Sequence, residues 1–155
     1  MDFRILGLSP EPFLAFYGRP DAELAAKGIL RKTADSFPGY PDRVELDDVT
    51  PGGSVLLLNY MHQNADTPYR ASHAIYVREG ATAAFDRVND VPPVIRRRTI
   101  SLRAFDAAGM IRNADLCEGT AIEPVIERLL ADPDVAYLHA HYAKFGCYSA
   151  RIERA

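Results

Sequence analysis

VLLLNYMHQNADTPYRASHAIYV, residues 55–77, carries the clearest strand signals of the chain. It opens with four apolar residues and turns polar from Asn59 onward, a pattern typical of a strand that is buried where it begins. The residues NADTP at 64–68 interrupt this strand, because Asn, Asp and Pro favour turns. Residues 69–77 alternate between two kinds of side chain, which predicts a second strand. The centre of the chain is therefore expected to form a strand, a short polar loop and another strand.

The segments on either side add further strands and several helices. Ser, Pro and Gly signals predict small helices over 9–18 and 21–28, near the N-terminus. The strongest helix is predicted at about 120–132, where Thr120 and Glu123 form a capping-box pattern and apolar residues recur every three or four positions. Strands are also predicted at 3–8, 29–36 and 42–46, and in two hairpins over 96–117 and 135–154. These elements predict an α+β fold with a largely antiparallel sheet, packed on one side by the amphipathic helix.

Length, charge and cysteine content limit the classes of partner. Residues 1–155 show no linker or repeat and are expected to form a single domain. The net charge of −3 gives no general attraction to nucleic acid or to an anionic membrane, so neither is an expected partner. The first residues lack the pattern of a secretory leader, and Cys117 and Cys147 stand outside any disulfide framework. We therefore expect a cytoplasmic protein with free thiols.

Strand alternation sorts the four histidines by face. His139 and His141 share one face of the strand near residue 140, and the opposite face is small and apolar, so it is expected to meet the helix. His62 shares a face with Tyr60 on the first central strand, and His73 belongs to the second. Alternation within one strand does not say how the faces of different strands align.

The register of the last hairpin decides which residues surround His139 and His141. A loop with an even number of residues places Tyr148 opposite His141, in an aromatic neighbourhood. A loop of three residues places Ser149 and Arg151 opposite His141 and His139, in a polar one. A slip of one residue exchanges the two arrangements, so both stay open.

A metal site is one interpretation of two histidines that stand two residues apart on a strand. A catalytic zinc site usually has three protein ligands, so a third would be needed. Candidates for it are His62, His73, Asp66 and Cys147. None has a diagnostic spacing, and the chain has no HExxH or CxxC motif, so the sequence assigns no metal ligand and no cofactor. Histidines satisfied by their neighbours in a half-buried sheet are the ordinary alternative.

The predicted site is a pocket of His, Arg and Tyr side chains. His73 and His141 are the candidate acid–base residues, because histidine exchanges protons near neutral pH. Arg70 is the candidate anchor for an anionic group. The further candidate ligand-binding residues are Tyr60, His62, Tyr69 and His139. The arginine run at 96–98 is expected to be a solvated strand entry, with an anion-binding patch as the alternative. The hypothesis predicts that residues 59–73 and 137–151 meet in space.

Four stretches of the chain resemble a bacterial family known as domain of unknown function 1203. They are LLLNYMHQNADTPYRASHAIYVREG (56–80), SLRAFDAAGMI (101–111), AYLHAHYAKFGC (136–147) and ARIERA (150–155). The resemblance implies a compact single-domain bacterial protein and carries no assigned activity. In that family the position of Asp42 is often Cys, so a site built on such a thiol is not expected here.

Two functions remain open on this sequence. The first is a small enzyme that performs acid–base chemistry on a small anionic metabolite in the predicted pocket. The second is a non-catalytic domain that binds a small ligand or another protein, including a homodimer formed through a sheet edge or face. An enzyme is expected to surround these side chains with a concave pocket, whereas an interaction domain is expected to show an exposed apolar patch.

Overall fold

The computed structural model describes residues 1–155 and contains nine strands in two antiparallel sheets. The larger sheet has six strands in the order β5-β1-β9-β8-β6-β7, and the smaller has three in the order β2-β3-β4. The strands are β1 Phe3–Leu6, β2 Leu30–Thr33, β3 Ser54–Gln63, β4 Ala71–Arg78, β5 Asp86–Val88, β6 Thr99–Phe105, β7 Ile111–Glu118, β8 Tyr137–Tyr142 and β9 Tyr148–Arg154. The α+β class is confirmed.

The helices are short and few. The α-helices are α1 Asp21–Ala25, α2 Pro93–Arg96 and α3 Glu123–Leu130, and 3-10 helices form at Glu11–Phe16 and Gly119–Ala121. The first predicted N-terminal helix is therefore a 3-10 helix and the second is an α-helix of five residues. None of the helices combines the length and the apolar character needed to cross a bilayer.

Helix α3 covers one face of the six-stranded sheet, as the apolar stripe predicts. Ile126, Leu129 and Leu130 are buried against β8 and β9, where Leu138 and Ile152 belong to the same core. The helix is shorter than the predicted span of 120–132, and the capping box does not form, because Thr120 lies in the 3-10 turn that precedes α3.

The central stretch forms a separate small sheet, which the expectation of one sheet missed. Residues 55–77 supply β3 and β4, which pair from Val55↔Arg78 to Gln63↔Ala71. Their inner face, with Leu58 and Ile75, belongs to a second core that contains Tyr148 of the large sheet. The two sheets therefore meet along β9, and residues 59–73 come to lie beside the terminal hairpin.

The strand predicted at 42–46 is wrong. Within this segment only Asp42 forms a bridge, an isolated one with Tyr76, and the rest runs as a loop between the two sheets. Its backbone contacts the segment that follows β1, since the Leu8 amide donates to the Arg43 carbonyl at 2.7 Å. A single bridge and a few separate backbone hydrogen bonds give this segment no continuous ladder partner, so its apolar alternation does not become a strand.

The terminal hairpin combines both registers that the sequence leaves open. Near its turn Tyr148 pairs with His141, whereas farther along Arg151 pairs with His139. A β-bulge at Ser149 separates the two registers. Because a bulge inserts one extra residue, Tyr148 and Arg151 both lie opposite histidines, although a regular strand would put them on opposite faces.

Candidate functional site

All four histidines of the chain converge where the two sheets meet. We call them the histidine cluster: His62 from β3, His73 from β4, and His139 and His141 from β8. The ring centroid of His62 lies 4.8 Å from that of His73, 5.8 Å from that of His139 and 5.1 Å from that of His141. Tyr148 stacks on His62 with ring centroids 5.1 Å apart. Residues 59–73 and 137–151 therefore meet in space, as the pocket hypothesis predicts.

Two histidines of the cluster are joined by a hydrogen bond. His62 Nε2 and His73 Nδ1 lie 2.7 Å apart, so one ring donates a proton and the other accepts it. His141 is held differently, because its Nδ1 lies 2.9 Å from the Gly146 carbonyl oxygen. A carbonyl oxygen only accepts, so His141 Nδ1 carries the proton, and in the neutral ring Nε2 keeps its lone pair.

Three ring nitrogens of the cluster are buried without a hydrogen-bond partner. They are His62 Nδ1, His139 Nδ1 and His141 Nε2. His139 is 2% exposed and His141 is 0% exposed, so bulk water does not satisfy these atoms. A buried polar atom without a partner costs about 1–3 kcal/mol, and three in one place need an explanation.

Burial keeps the cluster uncharged. It lowers the pKa of His139 and of His141 to about 3, and that of His62 to about 4. Neighbouring histidines and Arg103 lower these pKa values further, whereas the hydrogen bond to Gly146 opposes the effect at His141. The pKa of His73 is lowered by burial first, and then by the charges of Arg103 and Arg43. Neutral imidazoles expose lone pairs, so the cluster is a set of nitrogen acceptors near pH 7.

The other predicted site residues, Tyr60, Tyr69 and Arg70, lie outside the histidine cluster. Tyr60 pairs with His73 across β3 and β4 and packs in the second core beside Phe13. Tyr69 and Arg70 are exposed, and the Arg70 side chain makes no hydrogen bond or ion pair. Both precede the first residue of β4, so strand alternation does not direct them toward His73.

A concave site lies next to the cluster, beside edge strand β4. This basic cleft has a volume of about 970 Å³ and 16 lining residues, among them His73. Its cationic residues are Arg43, Arg97, Arg98 and Lys144, and no carboxylate lines it. The loop before Arg43, the start of β6 and the turn between β8 and β9 form its walls.

Arg43 is buried in the wall of the cleft with no carboxylate partner. It is 1% exposed, and its Nε donates to the Tyr148 carbonyl at 2.7 Å. Its other two nitrogens donate to the Pro41 carbonyl and to Cys147 Sγ. The guanidinium carbon lies 4.9 Å from the centroid of the Tyr142 ring. Arginine has five N–H groups, so two remain for a ligand.

Arg97 and Arg98 share a single buried carboxylate. Asp48 Oδ2 accepts a hydrogen bond of 3.0 Å from each of them, and Arg98 also donates to Oδ1. The side chain of Asp48 is 0% exposed, while those of Arg97 and Arg98 are 37% and 19% exposed. One carboxylate therefore compensates only one of the two guanidinium charges, so the cleft keeps an excess of positive charge.

Sequence reasoning did not place the site in the basic cleft. The arginine run at 96–98 was the available signal, with an anion-binding patch as the alternative to the expected solvated strand entry. Arg43 gave no signal, because it is a single arginine in a segment that the sequence predicts to be a strand.

A family model described as Protein of unknown function (DUF1203) matches residues 39–154. The chain belongs to the DUF1203 family. No curated protein and no solved structure matches the chain. The part matched by DUF1203 contains the whole histidine cluster and all lining residues of the basic cleft except Pro38.

Asp42, which lies inside the DUF1203 match, has a structural role. It is 1% exposed, and its carboxylate accepts backbone N–H groups of Arg78 at 2.7 Å and of Glu45 at 2.6 Å. Burial raises its pKa, and the backbone hydrogen bonds oppose that effect. Asp42 does not line the cleft, so its carboxylate acts by holding the loop that carries Arg43.

Proposed function

We propose that this DUF1203 protein binds a small anionic organic molecule in the basic cleft. The observation that carries the proposal is the convergence of Arg43, Arg97, Arg98 and Lys144 on one concavity without a lining carboxylate. The chain as a whole has a net charge of −3, so this concentration of positive charge is not a property of the general surface. Arginine binds carboxylate or phosphate groups through two parallel N–H groups, which suits both ligand classes.

The size and lining of the cleft favour a ligand larger than an inorganic ion. Its volume of about 970 Å³ falls in the range of metabolite sites, which is roughly 300–1,000 Å³. Seven of the 16 lining residues are hydrophobic, including Leu57 and Phe145. Phe145 is 84% exposed at the hairpin turn, where an aromatic or aliphatic ligand body would cover it. The expected ligand is therefore a carboxylate or phosphate that carries an apolar group.

His73 is the member of the histidine cluster that lines the cleft. Its contact with His62 leaves one ring nitrogen for a ligand, so His73 is the candidate for a polar contact or for proton transfer. His141 is fully buried and does not line the cleft, so its predicted acid–base role is not part of the proposal. In this proposal the arginines of the cleft, and not Arg70, anchor the anionic group.

Calorimetric titration with phenyl phosphate and with inorganic phosphate tests the proposal. We expect phenyl phosphate to bind more tightly than inorganic phosphate, because only the former has an apolar body. Replacement of Arg97 or Lys144 by Gln is expected to weaken phenyl phosphate binding about tenfold, since each removes one charged contact of roughly 1.5 kcal/mol.

Arg70→Gln and Lys32→Gln are the matched controls, because both remove an exposed cation outside the cleft. They should bind as the unmodified chain does. Equal losses in the controls and in the cleft variants would show a general charge effect and overturn the proposal. The proposal also fails if neither phosphate compound binds the folded chain.

A further inference from the structure

We propose that His62, His139 and His141 form a binding site for a first-row transition metal ion such as Zn²⁺. One ligating nitrogen from each ring lies within 4.8 Å of the other two. Tetrahedral zinc with Zn–N distances of about 2.0–2.1 Å needs nitrogens roughly 3.3 Å apart. Side-chain rotations therefore have to close a gap of at most about 1.5 Å between any two of these nitrogens.

The unpartnered nitrogens are the second, independent observation. The three grouped residues are the same three that each hold one buried ring nitrogen without a hydrogen bond. Buried polar atoms normally find hydrogen-bond partners, so three unpartnered nitrogens on these same three rings are not expected by chance. A single ion bound to all three rings would satisfy all three atoms at once.

The remaining nitrogens of two of the rings have the contacts that metal-bound histidines usually have. A ligating histidine donates its other N–H to a carbonyl, a carboxylate or another acceptor, which fixes the ring. His141 does so toward the Gly146 carbonyl oxygen at 2.9 Å. His62 has the equivalent contact with His73 Nδ1 at 2.7 Å. That distance is shorter than two ligands of one ion permit, so His73 supports His62 rather than sharing the ion.

The surroundings indicate what completes the coordination sphere. Arg103 and Arg151 are the strand partners of His139 on β6 and β9, and Arg151 is paired with Glu153 at 3.1 Å. A guanidinium beside a dication is unfavourable unless negative charge lies between them. The fourth position is therefore expected to hold an anion or a hydroxide, which Arg103 would stabilise. Three imidazoles favour Zn²⁺, Cu²⁺ or Ni²⁺ over Mg²⁺ and Ca²⁺, which prefer oxygen ligands.

The ion would also link the two sheets. His62 belongs to β3 of the small sheet, whereas His139 and His141 belong to β8 of the large one. A polar contact nearby joins the same two strands, from Gln63 to the Tyr137 hydroxyl at 3.0 Å. Metal binding is therefore expected to raise the thermal midpoint, because the ion binds the folded chain and not the separated sheets.

Zn²⁺ and Co²⁺ titrations of tag-free protein test the site. We expect one equivalent of either ion per chain, a higher Tm with Zn²⁺, and visible absorption bands typical of four- or five-coordinate Co²⁺. His62→Gln should abolish stoichiometric binding, and since His62 is only half-buried this variant is expected to fold. His141→Ala is the second ligand variant, with its fold checked by circular dichroism.

Two further variants separate the site from its alternatives. A chain with Cys117→Ser and Cys147→Ser should keep the full stoichiometry, because neither thiol belongs to the group. His73→Gln should keep the stoichiometry with an affinity lower by roughly 10–100-fold, as expected for a residue that only supports a ligand. Absence of stoichiometric binding to the unmodified chain, which a buried water in place of the ion would produce, overturns the proposal. The proposal is also overturned if metal binding survives in His62→Gln and disappears in the Cys variant, because the thiols would then hold the ion.

The proposed metal site and the proposed anion-binding function are tested independently of each other. The titrations with Zn²⁺ and Co²⁺ are made in chloride buffer without phosphate, and those with phenyl phosphate in the presence of a chelator. A chain that binds metal but no phenyl phosphate would remove only the proposed function, and the reverse result would remove only the metal site.

Discussion

Arg43 Nη2 donates a hydrogen bond to Cys147 Sγ at 3.1 Å, so one of the two thiols of the chain lies against a buried cation. The other thiol, Cys117, has an acidic environment. Burial raises its pKa, and the charges of Asp115 and Glu118 raise it further. Both residues are half-buried, so the chain offers two thiols with similar access and opposite electrostatic surroundings.

The two thiols are expected to distinguish an anionic alkylating reagent from a neutral one. At Cys147 the ratio of the iodoacetate rate to the iodoacetamide rate should be about tenfold higher than at Cys117, because charges a few ångström apart contribute about 1 kcal/mol each. Mass spectrometry of the labelled peptides gives both rates in one experiment. The intrinsic reactivity of each thiol affects both reagents equally and cancels from the ratio.

Salt and denaturant supply the controls for this comparison. Added NaCl should reduce the difference between the thiols, since salt screens the field of the cleft. In denaturant the ratio of the iodoacetate rate to the iodoacetamide rate should become equal at Cys147 and Cys117. Equal ratios in the folded chain would contradict the positive potential assigned to the cleft.

Asp48→Asn is expected to destabilise the fold and to strengthen anion binding. The substitution removes the one carboxylate that Arg97 and Arg98 share, and its side chain is fully buried. Loss of one partner of a buried ion pair costs about 3 kcal/mol or more. Urea unfolding at pH 7 measures this loss, and Asp115→Asn, which removes an exposed partner of Arg128, should cause little change.

Phosphate is expected to restore part of the stability that Asp48→Asn loses. An anion bound between the uncompensated arginines replaces the missing charge and stabilises the folded state by mass action. The rise in Tm on adding phosphate, relative to NaCl of equal ionic strength, should be larger in the variant than in the unmodified chain. An equal rise would mean that phosphate does not bind at these arginines.

The histidine cluster was partly accessible to sequence reasoning because strand alternation is a local property. His139 and His141 share a face whatever the rest of the fold does, and the same holds for His62 and Tyr60. The hairpin register was not accessible, because the bulge at Ser149 depends on contacts made by both strands. Local pattern and tertiary pairing thus contribute separately to the position of each ring.

The basic cleft was inaccessible for a different reason. Arg43, Arg98 and Lys144 come from a loop, the residue before β6 and a hairpin turn, which have no common period. Their convergence depends on how the two sheets pack, and no spacing in the sequence encodes that arrangement. Arg70 has the right chemistry for an anchor, but it lies in the exposed loop before β4.

Gly7→Ala is expected to disturb the loop that carries Arg43. A Cβ at Gly7 would lie 2.1 Å from the Val44 carbonyl oxygen, which is backbone and has little room to move. We expect a loss of about 3 kcal/mol in the free energy of unfolding, together with weaker phenyl phosphate binding. Gly18→Ala is the control, because Gly18 has a φ of +71° and open space around its Cα. Its cost should be about 1 kcal/mol from backbone strain alone, with binding unchanged.

Glu79 is expected to make the stability of the fold depend on acid pH. Its carboxylate accepts hydrogen bonds from Arg31 Nε at 2.9 Å and Arg31 Nη2 at 2.8 Å, from Ser54 Oγ at 2.6 Å and from the Gly18 amide at 2.8 Å. Hydrogen bonding to Arg31 lowers its pKa to about 2, from an ordinary value of 4.5. The unfolded chain therefore takes up the Glu79 proton first as the pH falls, so this stabilisation is present above pH 4.5 and is lost between about pH 4.5 and 2.

Glu79→Gln should lower the free energy of unfolding by about 2 kcal/mol at pH 7, a value reduced for the partial exposure of the pair. The difference between the variant and the unmodified chain should shrink steadily below about pH 4.5 and be largely lost by about pH 2, as Glu79 becomes protonated in the folded state as well. Urea unfolding at pH 7, 5 and 3 follows this difference. Glu127→Gln, on the exposed face of α3, should leave the stability unchanged at each pH. A constant gap between Glu79→Gln and the unmodified chain at all three pH values would mean that the carboxylate contributes through its shape and not through its charge.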